Sequence, residues 1–96
     1  MTSLSQIQNM LRSHKGELFD RFGVKTLAVF GSYSRNEQKP NSDVDILVEF
    51  ISPVGIEFID LANYLERLLD LPVDLVSRNG IKPKYYRRIE SDLQYV

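Results

Sequence analysis

The first third of the chain carries apolar residues at helical spacing. They recur every three, four or seven positions and are Leu4, Ile7, Leu11, Leu18 and Phe22, with Met10 and Phe19 beside them. This pattern predicts a single amphipathic helix that begins after Ser3 or Ser5 and ends near Gly23. The apolar stripe of that helix is expected to face the core.

A second helical pattern follows in the later part of the chain. Its apolar positions are Ile56, Ile59, Ala62, Leu65, Leu68 and Leu69. The charged and polar residues fall between them, which predicts a helix whose stripe belongs to the core and which Leu71-Pro72 ends. A last short helix is predicted over residues 82–92, with residues 93–96 as a tail.

Three short apolar runs predict strands. They are Val24 to Phe30, Asp43 to Phe50 and Val73 to Val76, each rich in β-branched or aromatic residues. Between the first two, residues 34–38 are compatible with one helical turn, and residues 40–42 have the composition of a turn. The order of elements predicts an α+β fold, a small mixed sheet of three or four strands with helices against one face.

Composition removes several classes of function. With 96 residues, the chain is expected to form one domain over residues 1–96. It has no cysteine and one histidine, His14, which excludes disulfides, zinc ribbons, thiol catalysis and histidine-based triads and metal sites. A net charge of -1 argues against a protein that mainly coats nucleic acid. No apolar run spans a bilayer and no signal peptide is visible, so a cytoplasmic location is expected.

Three aspartates stand in positions that suit a metal site. Asp43 and Asp45 begin a strand two residues apart, so both side chains point to the same face. Asp74 lies inside an apolar strand, where an aspartate is unusual unless it has a specific role. If these two strands are neighbours, the three carboxylates converge and offer the oxygen ligands that magnesium prefers. Two ions held in this way stabilise both oxygens of a phosphoryl-type displacement.

A simpler interpretation of these aspartates stays open. Asp43 caps a turn in that case, and Asp45 and Asp74 are solvated residues at the edge of the sheet. The residues that precede Asp43 favour the metal site over this alternative.

Gly31 and Ser32 follow the first predicted strand directly. Glycine lets the backbone approach a ligand closely, amide groups at the start of a helical turn favour anions, and a serine hydroxyl donates to a phosphate oxygen. Most Gly-Ser turns are structural, but one placed before an Asp-x-Asp strand predicts a triphosphate site. Arg35 either binds a phosphate oxygen or pairs with Glu37 or Glu49 at the surface.

The segment from Lys82 to Arg88 mixes basic and aromatic residues. Such a mixture occurs where nucleic acid or an acidic partner docks. It is also typical of a solvated helix face whose tyrosines pack on the core, and the pattern leaves both possibilities open. His14 is expected to be an ordinary surface residue.

Together these motifs resemble a known family signature. Gly31-Ser32, ten intervening residues, Asp43-x-Asp45 and a later Asp74 are similar to the signature of the DNA polymerase β-like nucleotidyltransferase superfamily. That resemblance implies that Gly31 and Ser32 hold the phosphates of ATP and that Asp43 and Asp45 bind Mg²⁺. Asp74 would be the third carboxylate, which orients and deprotonates the attacking hydroxyl.

Residues 29–37 and 42–48 more specifically resemble the minimal nucleotidyltransferases (MNT) of bacteria and archaea. The likeness also covers residues 71–76 and Tyr95-Val96. One departure is Asn36, where relatives often carry glycine; asparagine tolerates a left-handed backbone, so the turn is expected to keep its geometry.

The MNT resemblance also implies a partner and a reaction. These proteins are commonly paired with a helical HEPN ribonuclease toxin, and they transfer AMP from ATP to a tyrosine of that toxin, which silences it. The chain shows no acceptor-recognition domain, so the partner is expected to supply much of the acceptor site. Two alternatives remain: a non-catalytic antitoxin that covers the toxin's active site, and a nucleotidyltransferase that acts on RNA or a small molecule.

Overall fold

A computed structural model describes residues 2–96 and shows a four-stranded sheet whose strands, counted along the chain, lie in the order third, second, first, fourth. The helices are α1 (Leu4–Ser13), α2 (Lys15–Phe22), α3 (Glu57–Leu69) and α4 (Pro83–Ile89), and a 3₁₀ turn, Glu90–Asp92, follows α4. The strands are β1 (Val24–Phe30), β2 (Val44–Phe50), β3 (Val73–Ser77) and β4 (Gln94–Tyr95). None of the helices in this part of the chain combines the length and apolar character needed to cross a bilayer.

The sheet is mixed, which confirms the α+β prediction. Strand β1 pairs antiparallel with both β2 and β4, whereas β2 and β3 run parallel. The three predicted strands are present with bounds that shift by one residue or less. The predicted tail instead contains β4, because the backbone of residues 94 and 95 pairs with Ala28 and Val29 of β1.

The prediction of one continuous first helix is wrong, because the chain changes direction at His14. This residue has φ -113° and ψ 13°, and its Nδ1 atom lies 2.9 Å from the carbonyl oxygen of Met10. The His14 amide donates to the carbonyl of Leu11, three residues back, so the regular α-helical bonding ends here. The outer ends are as predicted: Ser3 forms a capping box with Gln6, and Gly23 ends α2 with a left-handed backbone.

Helices cover both faces of the sheet, not one. Helices α1, α2 and α3 pack on one face; the fully buried side chains of that layer include Ile7, Leu11, Leu61 and Leu65. Helix α4 packs on the other face, where Ile89 contacts Phe30 and Leu47. The central strands β1 and β2 carry apolar residues on both faces, so each face requires a cover.

The predicted apolar stripe of α3 is partly wrong. Leu65 is buried as expected, but Ile56 and Ile59 are 71% and 59% exposed. Leu61 and Leu65, one turn apart, set the buried face of the helix, and Ile59 projects to the opposite side. Ile56 lies just before the first helical residue, so helical spacing does not place it on that face.

Candidate active site

Asp45 and Asp74 lie directly opposite each other on the parallel strands β2 and β3. Neighbouring strands are about 4.8 Å apart, and residues in register point to the same face of a sheet. Asp45 is half-buried on a central strand, whereas Asp74 is exposed on the edge strand. The expectation that these strands are neighbours is therefore confirmed, and two of the three predicted carboxylates meet.

Asp43 also acts on this pair, although it lies one residue before β2. The pKa of Asp45 is raised from 3.8 to about 6, first by burial and then by the negative charges of Asp74 and Asp43. The positive charge of Arg35 opposes the increase. Asp74 and Asp43 thus both repel Asp45, and a cation placed beside these carboxylates would relieve that repulsion.

In the simpler interpretation, Asp43 caps a turn and Asp45 and Asp74 are solvated residues at the sheet edge. The structure agrees with it only for Asp74, which does lie at an exposed edge. The turn before β2 is closed by Ser42, whose hydroxyl oxygen accepts a hydrogen bond of 2.8 Å from the Lys39 amide. Asp45 is on a central strand and is not a solvated edge residue.

Carboxylate oxygens are suitable ligands for magnesium, but the side chains of Asp43, Asp45 and Asp74 do not surround an ion in this structure. Across residues 2–96, no three acidic or histidine side chains lie close enough together to surround a metal. Magnesium usually keeps several waters and binds one or two carboxylates together with substrate phosphates, so a closed cage of protein ligands is not required. The assignment of Asp43, Asp45 and Asp74 as magnesium ligands stays a prediction.

The turn that contains Gly31 and Ser32 begins where β1 ends, beside Asp45. Phe30, the last residue of β1, is the cross-strand partner of Asp45, and Gly31 follows with φ +74°. A Cβ atom at Gly31 would overlap Asp45 Oδ2. The absence of a side chain at Gly31 therefore lets the turn and the carboxylate lie in direct contact.

Residues 32–36 form a hydrogen-bonded turn, which begins two residues before the segment 34–38 that the sequence made compatible with one helical turn. The Arg35 amide donates to the Gly31 carbonyl at 3.1 Å, and the Glu37 amide donates to the Ser32 carbonyl at 2.8 Å. Asn36 has φ +58°, the left-handed conformation that its side chain tolerates. The departure at this position therefore leaves the turn intact.

Arg35 forms surface ion pairs, one of them with a residue that the sequence did not indicate. Its Nη1 atom lies 2.6 Å from Asp92 Oδ2, and its Nε atom lies 3.2 Å from Glu37 Oε1. The Ser34 hydroxyl also donates to the Asp92 carbonyl. Glu49, the other predicted partner, instead lies 3.9 Å from Lys25. Asp92 is 57 positions from Arg35, so no local pattern could have identified it.

Gly31→Ala is expected to destabilise the protein by about 1–3 kcal/mol, because it adds a Cβ against Asp45 and forces a left-handed backbone on alanine. Urea unfolding followed by circular dichroism measures the change. Gly16→Ala is the matched control: a Cβ at this helical position in α2 meets nothing within 4 Å. The control is expected to be neutral or to stabilise by about 0.5–1 kcal/mol. Equal stability of Gly31→Ala and the wild type would contradict this account of the turn.

Comparison with known proteins agrees with this geometry. A family model described as a nucleotidyltransferase domain matches residues 11–96. The chain belongs to the nucleotidyltransferase family. It is 46% identical over 97 residues to the protein adenylyltransferase MntA of Thermococcus cleftensis. The alignment covers all of this chain and 98% of that relative.

Solved nucleotidyltransferase structures share the fold. One is a putative minimal nucleotidyltransferase, with a TM-score of 0.81 and 29% identity over 97% of this chain and 95% of that one. Another is a toxin-antitoxin complex with AMP-PNP, with a TM-score of 0.75 and 26% identity over 92% of this chain and 70% of the matched chain. These similarities confirm the resemblance to minimal nucleotidyltransferases.

The matched region contains every residue that the sequence assigned to the site. These are Gly31, Ser32, Arg35, Asp43, Asp45 and Asp74. The fold brings the glycine turn and the two paired carboxylates together, with Asp43 near enough to affect the charge of Asp45. Arg35 is engaged with Asp92 and Glu37, so its predicted contact with phosphate would require it to exchange partners.

Proposed function

We propose that this nucleotidyltransferase is an antitoxin that transfers AMP from ATP to a tyrosine hydroxyl of a HEPN ribonuclease toxin. The observation that carries the proposal is the direct pairing of Asp45 with Asp74 beside the Gly31 turn. Support for the reaction comes from the relative named as a protein adenylyltransferase, at 46% identity over its whole length. Support for the partner comes from the similar toxin-antitoxin complex, which contains an ATP analogue.

Each site residue has a defined part in this proposal. The backbone at Gly31 and the hydroxyl of Ser32 bind the triphosphate, because the turn can approach it without a side chain in the way. Asp43 and Asp45 would hold the cation. One or two magnesium ions would supply positive charge against the phosphate oxygens.

Asp74 is placed to act on the acceptor. As an exposed residue on the edge strand, it can be reached by a hydroxyl group of another protein. It orients the tyrosine hydroxyl and accepts its proton while the oxygen attacks the α-phosphorus. The bond from that phosphorus to the bridging oxygen breaks, and pyrophosphate leaves. The chain therefore contributes positioning and charge, without a covalent protein intermediate.

The proposal is tested by incubating the protein with ATP labelled at the α-phosphate, Mg²⁺ and the protein encoded by the neighbouring gene. Label is expected on a tyrosine of that protein, located by mass spectrometry, and none is expected when Mg²⁺ is replaced by a chelator. Asp74→Asn serves as the inactive control, since it keeps the size of the side chain. A stable, unlabelled complex that still inhibits the toxin would favour the non-catalytic antitoxin, and label on RNA would favour the third alternative.

A further inference from the structure

Helix α4 carries positive charge that the rest of the chain does not neutralise. Lys82, Lys84, Arg87 and Arg88 are all exposed. Within the described residues, ion pairs involve Arg21, Lys25 and Arg35, and none involves these four cations. In a chain of net charge -1, this is a local concentration of positive charge.

This helix lies on the same face of the sheet as the candidate active site. Ile89 of α4 packs on Phe30 and Leu47. Phe30 is the cross-strand partner of Asp45, and Leu47 lies two residues from Asp45, so all three side chains share one face. The 3₁₀ turn after α4 adds a second connection, because its Asp92 binds Arg35.

The inner and outer sides of α4 are clearly separated. Ile89 and the partly buried Tyr86 face the sheet, and the Arg78 guanidinium lies 4.0 Å from the centre of the Tyr86 ring. Lys84 and Arg88 are one turn apart on the side away from the core. Tyr85 is 41% exposed, so only one of the two tyrosines packs as a core residue. We call the exposed residues the α4 surface: Lys82, Lys84, Tyr85, Arg87 and Arg88.

We infer that the α4 surface docks an acidic segment of the acceptor protein and so directs the acceptor hydroxyl to the active site; this inference rests on the proposed function. Opposite charge selects an acidic segment, and the exposed Tyr85 offers it an aromatic contact. Ile89 packs on Phe30 and Leu47, which lie beside Asp45 on the same sheet face. A single partner surface can therefore cover both the α4 surface and the active site.

A nucleic acid fits this surface less well than a protein segment does. A helix of seven residues is about 10 Å long, enough for about three phosphates of one strand. Toward the active site the same face becomes acidic, with Asp45, Asp74 and nearby Asp43. An acceptor protein presents separate groups, so it can place its acidic residues over α4 and a neutral hydroxyl over the carboxylates.

The test measures AMP transfer to the neighbouring gene's product by the wild type and by Lys84→Glu/Arg88→Glu. The variant's KM for the acceptor is expected to rise about tenfold or more, with kcat at saturation and the KM for ATP within twofold. The matched control is Lys15→Glu/Arg67→Glu, which reverses two exposed cations on α2 and α3, the helices of the opposite face. All kinetic constants of this control are expected to stay within twofold of the wild type. Lys84→Arg/Arg88→Lys keeps the charges and is expected to retain the wild-type acceptor KM.

Three results would overturn the inference. The first is an unchanged acceptor KM in the charge-reversed variant, and the second is a matching rise in the KM for ATP, which would assign the cations to nucleotide binding. The third is competition by a ten-nucleotide RNA, but not by a ten-residue polyglutamate peptide. If the wild type labels no protein, the proposed function fails; docking is then tested by direct binding. Loss of binding in the charge-reversed variant alone supports docking, and equal binding by all variants rejects it.

Discussion

Asp43→Asn is expected to reduce AMP transfer at least about 10³-fold while leaving the fold intact. The substitution keeps the shape of the side chain but removes one of the negative charges that bind the cation and, through it, the phosphates. Asp43 is exposed and lies outside the strand, so no buried packing is lost. Single-turnover transfer of label to the partner measures the rate. Chemical unfolding is expected to agree with the wild type within about 0.5 kcal/mol.

Asp70→Asn provides a matched control for that loss. Asp70 is also exposed, and it ends α3 in a left-handed conformation, φ 54°, which asparagine adopts readily. The control removes the same charge from the chain at a residue that is not among the charges acting on Asp45, and its transfer rate is expected to be unchanged. If Asp43→Asn kept a tenth or more of the wild-type rate, the role assigned to Asp43 would be wrong.

Asp45→Asn is expected to make the metal-free protein more stable at pH 7 while it abolishes transfer. The folded-state pKa of Asp45 is raised from 3.8 to about 6, so folding favours the protonated form. The corresponding stability is fully present below pH 3.8 and is lost as the pH rises through 6. At pH 7 the wild type therefore carries the cost of an ionised, repelled carboxylate that the asparagine variant lacks. Because Asp45 is only half-buried, that cost is about 1–2 kcal/mol after solvent screening.

Thermal unfolding between pH 3.5 and 8, with and without Mg²⁺, tests this prediction. Without Mg²⁺, the two proteins are expected to have similar unfolding temperatures at the acidic end and to separate as the pH rises. Mg²⁺ is expected to stabilise the wild type above pH 6, because the cation offsets the repulsion among the carboxylates, and to have little effect on Asp45→Asn. Parallel curves for the two proteins at every pH would show that the repulsion does not affect folding.

The centre of the candidate site was accessible to sequence reasoning because it depends on short-range rules. Alternation along a strand places a side chain on one face, and glycine before a turn indicates close backbone approach. These rules predicted that Gly31 and Asp45 belong to one site, and the fold brings them into contact. Pairing of Asp45 with Asp74 needed one further condition, that β2 and β3 are adjacent, and the structure confirms it.

The features that were missed depend on long-range packing. The pair of Arg35 with Asp92 forms only after the chain has crossed the sheet and returned. Helix α4 packs on the second face because β1 and β2 carry apolar residues on both sides, such as Phe30 and Leu47. A continuous apolar run in the sequence does not show which of its residues point to which face. The break between α1 and α2 is a change of backbone angles at one residue, His14, which helical periodicity cannot register.

The position of β3 at the edge of the sheet has a consequence for how ligand affinity is interpreted. This strand has one neighbour, β2, and none of its five residues is fully buried. Strands held in this way open locally at lower free energy than the central strands do. Asp74 is therefore attached to an edge strand, and a ligand that contacts it must keep that strand ordered as it binds. A measured dissociation constant will include that ordering cost, so a weak affinity for ATP alone would not by itself imply a poorly formed site.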